Sequence, residues 1–189
     1  MPTATYRNLS GEKQKRIYEA LVREFEDKPL NEVTVKHIVE QLHLPRGSFY
    51  QYFTSLSDCY FYVLDQEILE LHTVFMELMK VHQNDLFAAL ESLGEKAADE
   101  IYESEHRRLY KNRYLSFDTQ TEKEWAAYQR RNAKPESMLA SISEKEKVQF
   151  VRAIVHSLIQ RIFTESWDRE TFLSHYNQHV KWMKEGLQS

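Results

Sequence analysis

The chain has 189 residues, 42% hydrophobic and 29% charged, with four glycines, four prolines and one cysteine. So few turn formers exclude an all-β architecture and point to helices. The longest apolar run, Cys59 to Leu64, is far short of the ~20 residues of a membrane span. Lone Cys59 cannot pair within the chain, so the sequence reads as a cytoplasmic protein with no membrane partner. The net charge of -4 is unevenly spread. Residues 1–58 carry eight basic and eight acidic side chains, and Arg7, Lys13, Lys15 and Arg16 share a stretch whose only acid is Glu12.

A first helix is expected from Ser10 or Gly11, with Ile17, Leu21 and Phe25 on one stripe. Pro29 ends it, because proline cannot continue the helical ladder. Thr34 is a good N-cap for a second helix, and Val35, Ile38, Val39 and Leu42 give its apolar face. A brief turn, His43-Leu44, leads into a short third helix from Pro45 to Tyr52. Phe49 and Phe53 pack inward there, leaving Arg46, Gly47, Ser48, Tyr50 and Gln51 outside. One long helix is expected from Ser57, as N-cap, to His82. Further helices read as 84–103, 105–116, 121–132, 143–167 and 169–186, with one of the breaks at Lys134-Pro135.

Three short helices, the last two joined by a tight turn, form a helix-turn-helix whose third helix is sized for the major groove. Arg46 reaches a guanine edge or a phosphate, and Gly47 lets the backbone approach. Ser48, Tyr50 and Tyr52 offer hydroxyls to phosphates, and Gln51 can read adenine. The stretch from Thr34 to Phe53, and above all Gly47-Ser48-Phe49-Tyr50-Gln51-Tyr52-Phe53, resembles the TetR-family DNA-binding signature. That resemblance covers about residues 10–65. It implies phosphate contacts from Thr34, Ser48, Tyr50 and Tyr52 and base contacts from Arg46, Gly47 and Gln51. Lys36, on the outer face of the second helix, joins the candidate set. The family often has glycine where this chain has His43, and a phosphate-contacting lysine where it has Leu56. The second departure moves the expected backbone contact toward the basic arm, Arg7 to Arg16.

The implied architecture is all-α: a helix-turn-helix domain in residues 1–55 and a larger helical effector-binding and dimerisation domain in 56–189. Val148, Val151, Val155, Leu158 and Ile162 form one strip of helix 143–167, and Phe150, Ile154, Ile159 and Phe163 a second. Phe172, Tyr176, Val180, Met183 and Leu187 line the following helix. Apolar residues on two sides imply two packing partners, so residues 143–186 are expected to join two copies on a palindromic duplex. The resemblance also implies a small-molecule effector, with Tyr102, His106, Tyr110, Arg113, Tyr114, Phe117, Trp125 and Tyr128 as candidate contacts.

Gly94, inside a helix, marks either close helix contact or a kink. His175 and His179 have a metal-compatible spacing, but no cysteine completes a site, so no metal or cofactor is assigned. Two other function classes remain open: a helical-bundle enzyme, for which no glycine-rich phosphate loop or nucleophile motif is present, and a helical protein-interaction regulator that ignores DNA. The leading expectation is a repressor released by an effector.

Overall fold

The computed structural model describes residues 2–68, 71–132 and 142–187. All regular elements among them are helices: α1 (Ala4–Arg7), α2 (Gly11–Asp27), α3 (Val35–Gln41), α4 (Arg46–Tyr52), α5 (Leu56–Glu67), α6 (Leu71–Val81), α7 (Leu86–Glu103), α8 (Arg107–Ser116), α9 (Thr119–Asn132), α10 (Ile142–Thr164) and α11 (Arg169–Leu187). They gather into two compact units, residues 1–68 with 108–135, and residues 69–107 with 136–189. The break expected at Lys134-Pro135 lies outside the described residues.

In the first unit, the α2 stripe of Ile17, Leu21 and Phe25 is buried as its spacing requires. The Thr34 hydroxyl caps α3 by accepting the His37 amide at 3.2 Å. At its other end, α3 closes in a Schellman motif. The Leu44 amide donates to the Val39 carbonyl at 2.9 Å and the His43 amide to Glu40 at 3.2 Å. His43 stands at φ 53°, the left-handed conformation that glycine adopts at least cost. That reversal makes the turn between α3 and α4 tight.

Glu24 of α2 is buried, and burying a carboxylate is costly unless it is bonded. His37 Nδ1 lies 2.7 and 2.8 Å from its two oxygens, and Gln41 Nε2 donates to one at 3.1 Å. This network ties α2 to α3.

The compact units do not divide at residue 55. The three short helices have too little apolar surface of their own to close a core. Cys59, Tyr60, Phe61, Val63 and Leu64 of α5 complete it, joined by Leu109 of α8 and Trp125 and Tyr128 of α9. Asn112 Nδ2 donates to the Phe25 and Glu26 carbonyls at the end of α2, at 2.8 and 3.2 Å. Arg131 of α9 pairs with Asp58 of α5 at 3.3 Å.

The expected single helix from Ser57 to His82 is two helices. α5 starts two residues earlier, capped by Ser55, whose Oγ accepts the Asp58 amide at 3.0 Å. It ends at Ile68, which is extended at φ -113° and ψ 125°.

The second unit contains α6, α7, α10 and α11. Asp85 caps α7 by accepting the Phe87 and Ala88 amides, and these bonds hold its carboxyl below the ordinary range. Gly94 of α7 lies under the Tyr176 ring of α11. A Cβ there would stand 2.6 Å from two ring carbons. Of the two readings of that glycine, close contact is the one present. The Tyr176 hydroxyl donates to the Leu90 carbonyl at 2.9 Å and completes the α7–α11 contact.

Val151, Val155, Leu158 and Ile162 of α10, and Phe172, Tyr176, Val180 and Met183 of α11, are buried within the chain itself. The α11 strip is therefore satisfied without a second copy; the Leu187 side chain is outside the described set. Phe150 and Trp182, in contrast, are 48% and 56% exposed.

Candidate nucleic-acid interface

The short helix α4 has one face in the core and the other in solvent. Phe49 and Phe53 are buried against each other, with ring centroids 5.7 Å apart. Their four-residue spacing turns Arg46, Gly47, Tyr50 and Gln51 outward, where all four are exposed. Tyr50 is 52% exposed, although its ring meets the edge of Phe49 at 5.4 Å. A Cβ on Gly47 would meet nothing within 4 Å, so no packing inside the protein requires glycine there. Ser48 is half-buried. On α3, Thr34 is exposed and uses its oxygen as the cap, while exposed Lys36 pairs with Glu40 at 3.8 Å.

Tyr52 departs from the sequence expectation. It is only 6% exposed, packed edge-on against Tyr6 at 6.1 Å, with the Lys13 ammonium 6.0 Å above its ring. Helix α1, which the sequence reading did not anticipate, covers it. The signal was the pair Tyr6 and Leu9, apolar residues inside an arm that looked merely basic. The first unit thus brings together Thr34, Lys36, Arg46, Gly47, Tyr50 and Gln51 at its α3–α4 surface, with Ser48 partly covered, and withdraws Tyr52.

The effector candidates fall into two groups. Tyr102 and His106 belong to the second unit, where the Tyr102 hydroxyl donates to the Trp167 carbonyl at 2.7 Å and the His106 amide donates to Ser104 Oγ. The other six lie in the first unit. Tyr110, Trp125 and Tyr128 are core residues, and Trp125 stacks on Tyr128 at 5.6 Å. Arg113 is 6% exposed, donates to both oxygens of Glu122 at 2.6 and 3.2 Å, and lies 4.0 Å from the centre of the half-buried Phe117 ring. Its guanidinium is also 5.5 Å from the half-buried Tyr114 ring. In this aromatic cluster the Tyr60 hydroxyl and Trp125 Nε1 are buried with no hydrogen-bond partner among the described residues.

Two clefts that the sequence did not reveal lie in the second unit. One, of about 470 Å³, is lined by Val74, Glu77, Lys96, Asp99, Glu100 and others. Another, of about 530 Å³, lies between Glu91, Glu95, Asn177 and Lys184. Neither contains a candidate residue. His175 is stacked on Trp167 at 4.3 Å and the His179 ring bonds back to the His175 carbonyl, so each imidazole has a local packing role. Cys59 is fully buried, which pushes its thiol well up and makes it unreactive.

The helix-turn-helix has counterparts among known proteins. Residues 17–62 match the family model described as bacterial regulatory proteins, tetR family. Residues 86–186 match that of the tetracyclin repressor C-terminal domain, so the second match covers more than half of the chain. No curated protein matches the sequence. Among solved structures, a TetR family transcriptional regulator from Chloroflexus aurantiacus is 22% identical, with 98% of each chain covered and a TM-score of 0.56. NalD of Pseudomonas aeruginosa, the secondary repressor of the MexAB-OprM multidrug efflux pump, is 15% identical over 89% of this chain and 94% of its own, with a TM-score of 0.64. A second structure of NalD covers 89% of this chain and 95% of its own at 15% identity, with a TM-score of 0.63. These structural likenesses are likenesses of fold.

Proposed function

We propose that this chain, which belongs to the TetR family of bacterial regulatory proteins, is a repressor that sits as a homodimer on a palindromic duplex in the cytoplasm. It is a DNA-binding transcriptional regulator with a helical C-terminal domain. The observation that carries the specific reading is the outer face of α4. Arg46, Tyr50 and Gln51 are exposed together on a helix whose other face is core, and a helix so mounted fits a major groove. Arg46 and Gln51 read base edges while Thr34, Lys36, Ser48 and Tyr50 meet phosphates. Gly47 admits the DNA backbone.

DNA reading is assigned to residues 1–55, and effector binding and dimerisation to 56–189. Residues 143–186 join the two copies; the exposed Phe150 and Trp182 support that assignment. The effector reading draws support from the unmet donors of Tyr60 and Trp125, buried groups that an acceptor-bearing ligand would satisfy. An effector that binds one arrangement of the two reading heads better than the other releases the DNA.

The test is binding of the full-length chain to a duplex selected from a random library, read by fluorescence anisotropy. Arg46→Ala, Tyr50→Ala and Gln51→Ala are each expected to weaken binding by about 1–3 kcal/mol with unchanged circular dichroism. Wild-type affinity in all three variants would overturn the assignment of α4 and favour a regulator that binds protein.

A further inference from the structure

Helix α1 lies ahead of the three helices that make the helix-turn-helix, and it is bound to α4 at a particular place. An α-helix leaves its last four carbonyls without partners inside the helix. In α4 these belong to Phe49, Tyr50, Gln51 and Tyr52. The Phe49 carbonyl accepts the Phe53 amide at 2.8 Å. The next contacts come from residue 3: the Thr3 amide donates to the Tyr52 carbonyl at 2.9 Å, and the Thr3 hydroxyl donates to the Gln51 carbonyl. The same hydroxyl oxygen accepts the Tyr6 amide at 3.3 Å and so caps α1.

The rest of α1 is anchored equally firmly. Tyr6 is 3% exposed, with its ring centroid 5.1 Å from Phe53 and 6.1 Å from both Tyr52 and Tyr62. Gln14 Nε2 of α2 holds the Arg7 and Leu9 carbonyls at 3.0 and 2.8 Å. A seven-residue helix has little stability of its own, so its pose is set by what holds it. The front of α4 is fixed by the turn from α3, and its rear by Thr3.

We infer that α1 is part of the reading head, and that Thr3 is a positioning residue that fixes the end of α4 from which Tyr50 and Gln51 project. The inference rests on the proposed role of α4. Thr3 touches only backbone there, so it acts through the angle of the helix and not through a base. Its loss is then a loss of discrimination between sequences, with little change in the electrostatic binding common to all duplexes.

The experiment compares wild type, Thr3→Val and Thr3→Ser in the full-length chain. Affinity is measured for a duplex selected on the wild type and for a scrambled duplex of equal length, over a range of salt concentrations. Thr3→Val is expected to lower the ratio of the two affinities about tenfold, the scale of a lost hydrogen bond at a positioning contact, with the scrambled-duplex affinity and salt slope unchanged. Thr3→Ser, which keeps the hydroxyl, is expected to restore the ratio. Gln14→Met releases α1 from its other end without touching α4, and the same loss is expected; it serves where Thr3→Val does not fold. An unchanged ratio in folded Thr3→Val, or in folded Gln14→Met, overturns the inference, as does equal weakening on both duplexes. If the wild type selects no duplex, the DNA-reading role of α4 falls by itself, and the positioning role with it.

Discussion

Gly47 and Tyr52 show what single residues in the reading helix reveal and conceal. A Cβ at Gly47 has open space on every side, and alanine favours a helix over glycine by about 1 kcal/mol. Gly47→Ala is therefore expected to keep or raise the melting temperature while weakening binding to a selected duplex, because only an approaching backbone needs the space. Full binding by Gly47→Ala would mean that the DNA backbone does not come close. The polar face of α4 was legible from the spacing of Phe49 and Phe53 alone. Tyr52 was not, because nothing in its own neighbourhood reports that Tyr6, forty-six positions earlier, lies against it. The residue type of Arg113 suits a ligand contact, but its partner Glu122 lies on a different helix, and only the packing of α8 on α9 joins the two.

At the scale of elements, periodicity located helices better than their ends. The apolar pattern runs through residues 57–82 without a proline or glycine, so the stop at Ile68 leaves no mark in the sequence. Ser55 and Ser57 are equally good caps by residue type; the hydroxyl that accepts an amide of the first turn, that of Asp58, belongs to Ser55. Gly94 was legible as an anomaly, and α11 supplies the reason. In Gly94→Ala the new methyl must displace a fully buried Tyr176 ring. Overpacking costs about 1–3 kcal/mol, against which the helix gains about 1 kcal/mol. A net loss is expected, with the melting temperature down by about 2–4 °C. Gly186→Ala, where a Cβ meets nothing within 4 Å, is expected to be neutral or stabilising. Equal melting temperatures for the two variants would show that the α7–α11 contact yields easily.

At the scale of the molecule, the family and the all-helical class were legible from residues 34–53 and the scarcity of turn formers. The division into compact units was not, because α5, α8 and α9 join the first core through residues far apart in sequence. The buried α10 and α11 strips are used within the chain, whereas Phe150 and Trp182 are left open to a partner copy. Trp182→Glu is expected to shift the protein from dimer to monomer in sedimentation equilibrium, and to weaken binding to a two-half-site duplex more than to one half-site. An unchanged dimer would place the interface elsewhere.

The most direct test of DNA reading by α4 is selection of binding sites from a random duplex library by wild type and by Gln51→Ala. The wild type is expected to recover a palindrome whose half-site centres lie about 34–36 Å apart, and Gln51→Ala to lose preference at one symmetric pair of positions. Enrichment of no sequence by the wild type, or an identical consensus from the variant, would contradict it.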